Sequence, residues 1–146
     1  NMANIIPNSF RGALFLANHN FKASGGNLFK FSLYTSNPYS TSSTVFTATN
    51  EVNSGGGSNY AVKNLTNNGV VSSTAVSSVD FANVSYSSAS FTAAFAAIYN
   101  SVTVDGVANR LVVVLDFGGN KTATNGTFTV TFPDPSTASN AIISMS

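Results

Sequence analysis

Hydrophobic and polar residues alternate strictly over residues 127–132, where threonine alternates with phenylalanine or valine. This pattern predicts a β-strand with one solvated and one buried face. The apolar run RLVVVLDF at residues 110–117 is rich in valine, which predicts a strand covered on both faces. A third strand is predicted over residues 91–99, with one side formed by Phe91, Ala93, Phe95, Ala97 and Tyr99. Together these three successive strands would form the centre of an antiparallel sheet.

Polar segments connect these strands, and further strands are predicted elsewhere in the chain. Residues 100–109 contain Gly106, and residues 118–126 contain Gly-Gly-Asn and Asn-Gly, which favour turns. An alternating strand is predicted over residues 28–35, with Phe29, Phe31 and Leu33 inward and Lys30 and Ser32 outward. Shorter strands are predicted over residues 44–49, 60–65, 70–76, 79–86 and 141–145, with a hairpin turn at 67–69, a bulge or turn at 82–83 and a break at 133–135.

The start of the chain has a different periodicity. Four apolar residues fall at helical spacing: Phe10, Leu14, Ala17 and Phe21. We expect a short helix there, with Asn8 or Ser9 as its N-cap, although the same residues could form a strand. The whole pattern predicts an all-β fold, an antiparallel two-sheet sandwich of the jelly-roll or immunoglobulin-like kind with about eight to nine strands, or alternatively a barrel. Residues 1–9 would form a flexible N-terminal arm and residues 10–146 a single β-sandwich domain.

The composition limits the classes of partner. Charged residues make up 8% of the chain, against about 25% in an ordinary domain, and the formal net charge is +1. Serine, asparagine and threonine supply the polar surface instead, with 22, 19 and 15 copies. No nucleic-acid partner is expected, because phosphate contacts require clustered lysine and arginine. No membrane partner is expected either, because no apolar run is long enough to span a bilayer. A weakly charged surface gives little repulsion, which favours packing against other protein.

Candidate catalytic residues are few. His19 is the single histidine, and no nucleophile motif accompanies it, so we interpret it as a polar residue that closes a helix or turn. The acidic residues lie far apart along the chain: Glu51, Asp80, Asp105, Asp116 and Asp134. Residues 116–125 could supply a calcium loop, but turn residues bonding their own backbone are favoured. The glycines at 55–57 lack the Lys-Ser or Lys-Thr of a phosphate loop. We therefore predict no enzyme, and no catalytic, cofactor-binding or metal-ligating residue.

The tyrosines are the other candidates for a site. Tyr34, Tyr39, Tyr60 and Tyr86 fall at predicted loops or strand edges, where a tyrosine could stack on a sugar. Aromatic residues at alternating strand positions more often belong to a core, and we favour that interpretation here.

A series of short motifs runs in order along nearly the whole chain. They are Ser9-Phe10, His19-Asn20-Phe21, FKFSLYTS at 29–36, ATNEV at 48–52, Val79-Asp80-Phe81, Thr92-Ala93, Ile98-Tyr99-Asn100, VLDFG at 114–118, NGTFTVTFP at 125–133 and NAII at 140–143. In this order the chain resembles a family of small virion structural proteins of tailed bacteriophages. It departs from the family's pattern at residues 58–63 and at Ala94-Phe95, which concerns loop contacts rather than the fold.

The resemblance implies a non-enzymatic virion protein, a capsid decoration or cement subunit that binds and stabilises the shell of the major capsid protein. It also implies a homo-oligomer, for which we expect a trimer before a dimer. Residues 1–7 and the loop at 53–59 are the segments expected to contact the capsid, since flexible segments order on binding. The alternative is a tail, baseplate or fibre module that binds a host receptor, namely a glycan. A virion glycan hydrolase using Glu51 and His19 is a third hypothesis.

Overall fold

The computed structural model describes residues 4–72, 74–132 and 143–145. These residues form one helix and seven strands: α1 (Asn8–Phe15), β1 (Phe29–Tyr34), β2 (Lys63–Asn64), β3 (Asn67–Ser72), β4 (Ser77–Phe81), β5 (Val84–Asn100), β6 (Arg110–Val130) and β7 (Ile143–Met145). The strands form two antiparallel sheets, with strand orders β2-β1-β5-β6 and β3-β4-β7. The protein is therefore mostly β, with antiparallel sheets and one short helix in the described part, as the alternation predicts.

Two long strands replace the three predicted at the centre of the sheet. β5 and β6 pair from Val84 opposite Val130 to Asn100 opposite Arg110, and residues 101–109 connect them as predicted. The second predicted connection, at 118–126, is wrong because these residues lie inside β6. Gly118 and Gly119 do adopt positive φ angles, but they do so in a bulge within the strand, where residues 117–120 lie opposite Ala94.

This bulge also moves side chains from one face of the sheet to the other. Phe91 and Ala93 point into the main core, and the register then shifts between Ala93 and Phe95. Beyond the shift, Ala96 and Ile98 occupy the main core, whereas Phe95 and Ala97 pack in a second cluster. The predicted single face for residues 91–99 is thus wrong after Ala93, since a shift of one residue exchanges the two faces of a strand.

The main core lies between residues of both sheets. The ring of Phe29 in β1 lies 5.6 Å from that of Phe81 in β4, and the ring of Phe31 lies 6.1 Å from that of Phe132. Phe31 is fully buried, and Ile143 of β7 belongs to the same cluster. The inward orientation predicted for the β1 phenylalanines is therefore confirmed.

A second cluster covers the opposite face of the four-stranded sheet. It contains Tyr34, Tyr39, Ala97, Leu111 and Val114, with Phe46 packed against it, so the segment between β1 and β2 closes this face. The prediction that residues 110–117 are covered on both faces is confirmed for 111–114, all of which are buried. The outward orientation predicted for Ser32 is wrong: it is fully buried, and its hydroxyl bonds that of Tyr34 at 2.9 Å.

Other predicted elements are shorter than expected or differ in kind. Residues 44–49 form no strand; Val45 makes an isolated bridge to Arg110. The strand predicted at 60–65 is reduced to the two residues of β2. The predicted hairpin turn at 67–69 lies within β3, where Gly69 adopts a φ of 95° at a register shift. The break at 82–83 is confirmed, and β7 confirms the last strand where it is described. The break at 133–135 and residues 141–142 lie outside the described residues.

The start of the chain is held against the domain where it is described. Ile5 exchanges both backbone hydrogen bonds with Val114 of β6, at 2.8 and 2.9 Å. The backbone N–H of Asp116 donates to the side-chain oxygen of Asn4 at 2.8 Å. The predicted helix exists but is shorter than residues 10–21, because α1 begins at Asn8 and ends at Phe15. Of the predicted arm, Asn4 and Ile5 therefore make these contacts, Asn8 and Ser9 belong to α1, and residues 1–3 lie outside the described part.

Candidate functional site

Among the described residues, the most exposed large apolar side chains are those of Phe15 and Leu16 at the end of α1, with exposed fractions of 91% and 70%. We call this adjacent pair the α1 patch. Isolated apolar residues are common on protein surfaces, but an adjacent pair of this size on one helix end is unfavourable unless something covers it.

Local geometry explains why this pair points outward. Phe10 and Ala13 are the buried residues of α1, so the inner face of the helix is already defined by its first turns. The helix then stops because Ala17 adopts a φ of 57° and the N–H of Asn18 donates to the carbonyl of Ala13 at 3.0 Å. Phe15 lies on the side of the helix opposite Phe10 and Ala13, so it faces solvent.

A groove adjoins the α1 patch. It has a volume of about 160 Å³ and lies between α1 and the sheet β3-β4-β7. Its lining includes Leu14 from the helix, Val70 from β3 and Ile143 from β7, and is almost entirely apolar. Val70, which is 55% exposed, lines the groove. The groove and the α1 patch both include residues of α1, because Leu14 lines the groove and Phe15 follows it in the helix.

His19 lies in a different environment from the one predicted. It is 9% exposed, and its ring packs on Phe10 at 4.9 Å and near Phe21 and Phe29 at 6.0 and 6.3 Å. Burial, with the positive charge of Arg110 as a second cause, lowers the pKa of His19 to about 4. The imidazole is therefore neutral at neutral pH and forms part of the core. Its Nδ1 lies 3.2 Å from the amide nitrogen of Asn100.

The four tyrosines predicted as candidates for sugar stacking are all buried. Tyr34 and Tyr39 bond each other through their hydroxyls at 2.6 Å, and Tyr60 donates to the carboxylate of Glu51. Burial is the main cause that raises the pKa of each of these phenols above its usual range; for Tyr60 the hydrogen bond to Glu51 adds to it. The core interpretation is thus confirmed, and Glu51 serves as an acceptor for a buried hydroxyl.

The other described carboxylates accept hydrogen bonds from different parts of the chain. Asp116 accepts from the N–H of Gly118 at 2.8 Å, as expected of a turn residue, and Asp80 accepts from the side chain of Asn68 at 2.9 Å. In the orientation of the Asn18 amide that gives both of its polar atoms a partner, its nitrogen donates to Asp105 at 2.9 Å. Asp134 lies outside the described residues. Within residues 4–72, 74–132 and 143–145, no three His, Cys, Asp or Glu side chains cluster so that they could hold a metal ion.

The glycine-rich loop has a structural role where it is described. Gly56 and Gly57 adopt φ angles of 63° and 76°, and the N–H of Ser58 closes the turn on the carbonyl of Gly55 at 3.2 Å. The carbonyl of Ser58 then accepts from Ser90, on the edge of β5 that β1 leaves uncovered. The glycines thus allow the loop to turn and cover a sheet edge.

Sequence reasoning missed both the exposed pair and the surroundings of the histidine. Phe15 and Leu16 fall off the helical stripe formed by Phe10, Leu14 and Ala17, and that offset is the signal that could have identified them. No comparable signal links His19 to Arg110, which lie far apart in the chain and meet only because α1 packs near the start of β6.

No helix in the described part of the chain is long and apolar enough to cross a membrane.

Comparison with known proteins gives no assignment. No family model, no curated protein and no solved structure matches the chain.

Proposed function

We propose that the protein is a non-enzymatic structural subunit of a bacteriophage virion, a capsid cement or decoration protein that binds the shell of major capsid protein. The observation that carries the proposal is the α1 patch, an apolar surface beside an apolar groove on a chain with 8% charged residues. The core of a protein interface is depleted in charge and enriched in aromatic residues, and the patch meets both criteria.

The framework suits this task. The rings of Phe29 and Phe81 join the two sheets across one core, which supports a two-sheet sandwich of the jelly-roll or immunoglobulin-like kind. In the described residues, the carboxylates are dispersed and the histidine is buried, which supports a role without chemistry. A sparse surface charge also permits close packing of copies, and we propose a homo-oligomer, a trimer before a dimer.

A glycan-binding tail or fibre module is the alternative. The tyrosines predicted to stack on a sugar are not accessible for this role. They are all buried, namely Tyr34, Tyr39, Tyr60 and Tyr86. The copy number per virion separates the two proposals. A number comparable with that of the shell protein supports a decoration subunit, whereas a number typical of a tail structure supports the alternative.

The direct test adds purified protein to phage heads that lack it. Retention on sedimented heads and resistance of the heads to heat are measured for the wild type and for the double variant F15S/L16S. Because both side chains are exposed, the double variant should fold like the wild type, bind at least about tenfold more weakly and give no protection.

The matched control is Val45→Ser, which removes an exposed apolar residue near the other end of α1, where Ser9 bonds the carbonyl of Ser43. This variant should bind and protect as the wild type does. Undiminished binding of F15S/L16S would show that the α1 patch is not the contact surface, and failure of the wild type to bind any head would contradict the proposed function itself.

A further inference from the structure

A second pocket lies between α1 and the start of β6, with a volume of about 280 Å³. His19 and Arg110 line it together with Ser9 and Phe10 of the helix. Thr44, an exposed residue, also lines it, so the pocket communicates with solvent. It differs from the apolar groove beside the α1 patch because it contains a buried imidazole and a guanidinium group.

Hydrogen bonds determine which nitrogen of His19 carries the proton. The side-chain oxygen of Asn100 accepts from the N–H of Val102 at 3.1 Å, which fixes the orientation of that amide. Its nitrogen donates to the side-chain oxygen of Asn27 at 2.9 Å, and that oxygen accepts in turn from the N–H of Asn20. The second hydrogen of the Asn100 amide therefore points to Nδ1 of His19, so Nδ1 is the acceptor and the proton is on Nε2.

Two buried donors at this pocket have no acceptor among the described residues. Nε2 of His19 and Nε of Arg110 are buried and make no hydrogen bond with any part of the chain that the structure describes. Arg110 uses another guanidinium nitrogen to donate to the carbonyl of Val104 at 3.0 Å. No carboxylate among the described residues pairs with Arg110. Buried N–H groups are nearly always hydrogen-bonded in folded proteins. The two nitrogens therefore require an acceptor that does not belong to the described residues.

We propose that this pocket binds a carboxylate group, which accepts hydrogen bonds from Nε2 of His19 and Nε of Arg110. An ionised carboxylate has acceptors only, which suits a site that presents donors. Its single negative charge balances the single charge of Arg110, and guanidinium matches the planar geometry of a carboxylate. A phosphate dianion would leave a negative charge uncompensated in a half-buried site. The low pKa of His19 is consistent with this balance, because it keeps the ring neutral.

The test uses the single histidine of the sequence as a reporter. The ring resonances of His19 in the full chain are followed by NMR at neutral pH during titration with sodium acetate. Sodium chloride at matched ionic strength and acetamide, a neutral analogue of similar shape, serve as controls. We expect a saturable change with acetate alone, at roughly millimolar affinity. Equal responses to acetate and chloride, or a response that does not saturate, would mean that the pocket holds water only and would overturn the proposal.

Variants assign the effect to the two donors. Arg110→Gln should weaken acetate binding by at least about tenfold, and Arg110→Lys, which keeps the charge without the Nε donor, should give an intermediate affinity. Arg11→Gln is the matched control, because it removes the same charge from an exposed position on α1 and should bind acetate like the wild type. Unchanged affinity of R110Q would overturn the proposal. If R110Q does not fold, the comparison of acetate with acetamide on the wild type still decides it.

A last binding experiment distinguishes a free carboxylate from a carboxylate that belongs to another polypeptide. Aspartate blocked at both ends is compared with acetate on the same protein. Tighter binding of the blocked aspartate indicates an acidic side chain of a neighbouring chain, whereas tighter binding of acetate indicates a small free acid. Both results support a carboxylate site, and binding of neither contradicts it. The outcome is independent of whether the α1 patch contacts a capsid.

Discussion

Acidification should destabilise the protein through its single histidine. The pKa of His19 is lowered from 6.5 to about 4 because the ring is buried among phenylalanines and lies near Arg110. The unfolded chain therefore takes up a proton on His19 at a higher pH than the folded chain does. The burial of neutral His19 therefore contributes to the stability of the folded chain. This contribution is fully present above the unfolded pKa of 6.5 and is lost as the pH falls from 6.5 towards 4.

The size of the effect follows from the two pKa values. Between about pH 7 and about pH 5, the linkage relation gives a loss of about 2 kcal/mol in the free energy of unfolding. No other side chain of this sequence has an ordinary pKa in that interval, because there is no cysteine and one histidine, and exposed carboxylates titrate mostly below about pH 5. The interval thus isolates the histidine.

Two measurements check this expectation. Urea unfolding at a series of pH values gives the free energy for the wild type and for His19→Gln, and NMR of the single histidine gives its pKa directly. The variant should be less stable at neutral pH but should lose little further stability on acidification. Parallel pH profiles for the two proteins, or a ring that titrates near 6.5, would refute the account of His19 as a buried neutral group.

Two further predictions concern stability at neutral pH. Ala17→Gly should raise the free energy of unfolding by about 0.5 kcal/mol, because Ala17 is exposed at a φ of 57°. The control Ala48→Gly, at an exposed position without positive φ, should lower the free energy of unfolding by a similar amount. Urea unfolding measures both changes. Tyr60→Phe should cost about 2 kcal/mol, because the phenol bonds Glu51 and accepts from a buried backbone N–H, whereas Tyr99→Phe, with no hydroxyl partner among the described residues, should change stability by less than about 0.5 kcal/mol. Equal losses in the two tyrosine variants would contradict this assignment.

The sequence predicts the β class and most strand positions because alternation reports burial directly. Residues 127–132 follow their predicted pattern, with the threonines exposed and Phe128, Val130 and Phe132 buried. The prediction of a turn fails at residues 118–126, because Gly and Asn permit positive φ equally in a turn and in a bulge. The choice between the two depends on whether β5 continues alongside, which is a long-range contact that local chemistry does not encode.

The candidate sites were less predictable than the fold. The offset of Phe15 from the helical stripe indicates its exposure, but the end of α1 is set by a positive φ at Ala17, a residue with no particular preference for it, so the sequence does not show that the helix ends there. The tyrosines were correctly interpreted as core, since aromatic residues on paired strands find partners on the facing surface. The pocket of His19 and Arg110 needed the packing of α1 near β6, which the order of residues in the chain does not reveal.

The anchoring of α1 bears on how its patch would bind a partner. At its beginning, the N–H of Asn8 donates to the carbonyl of Thr41 at 2.9 Å. At its end, the buried amide of Asn18 bonds Asp105 in the connection between β5 and β6. A short helix is not stable alone, so these tertiary contacts, with the buried Phe10, hold it in place. Because the helix is fixed before binding, a partner that covers Phe15 and Leu16 has to order two side chains rather than a segment of chain. A patch of this modest size can therefore contribute usefully to affinity, and repetition in an oligomer would multiply its effect.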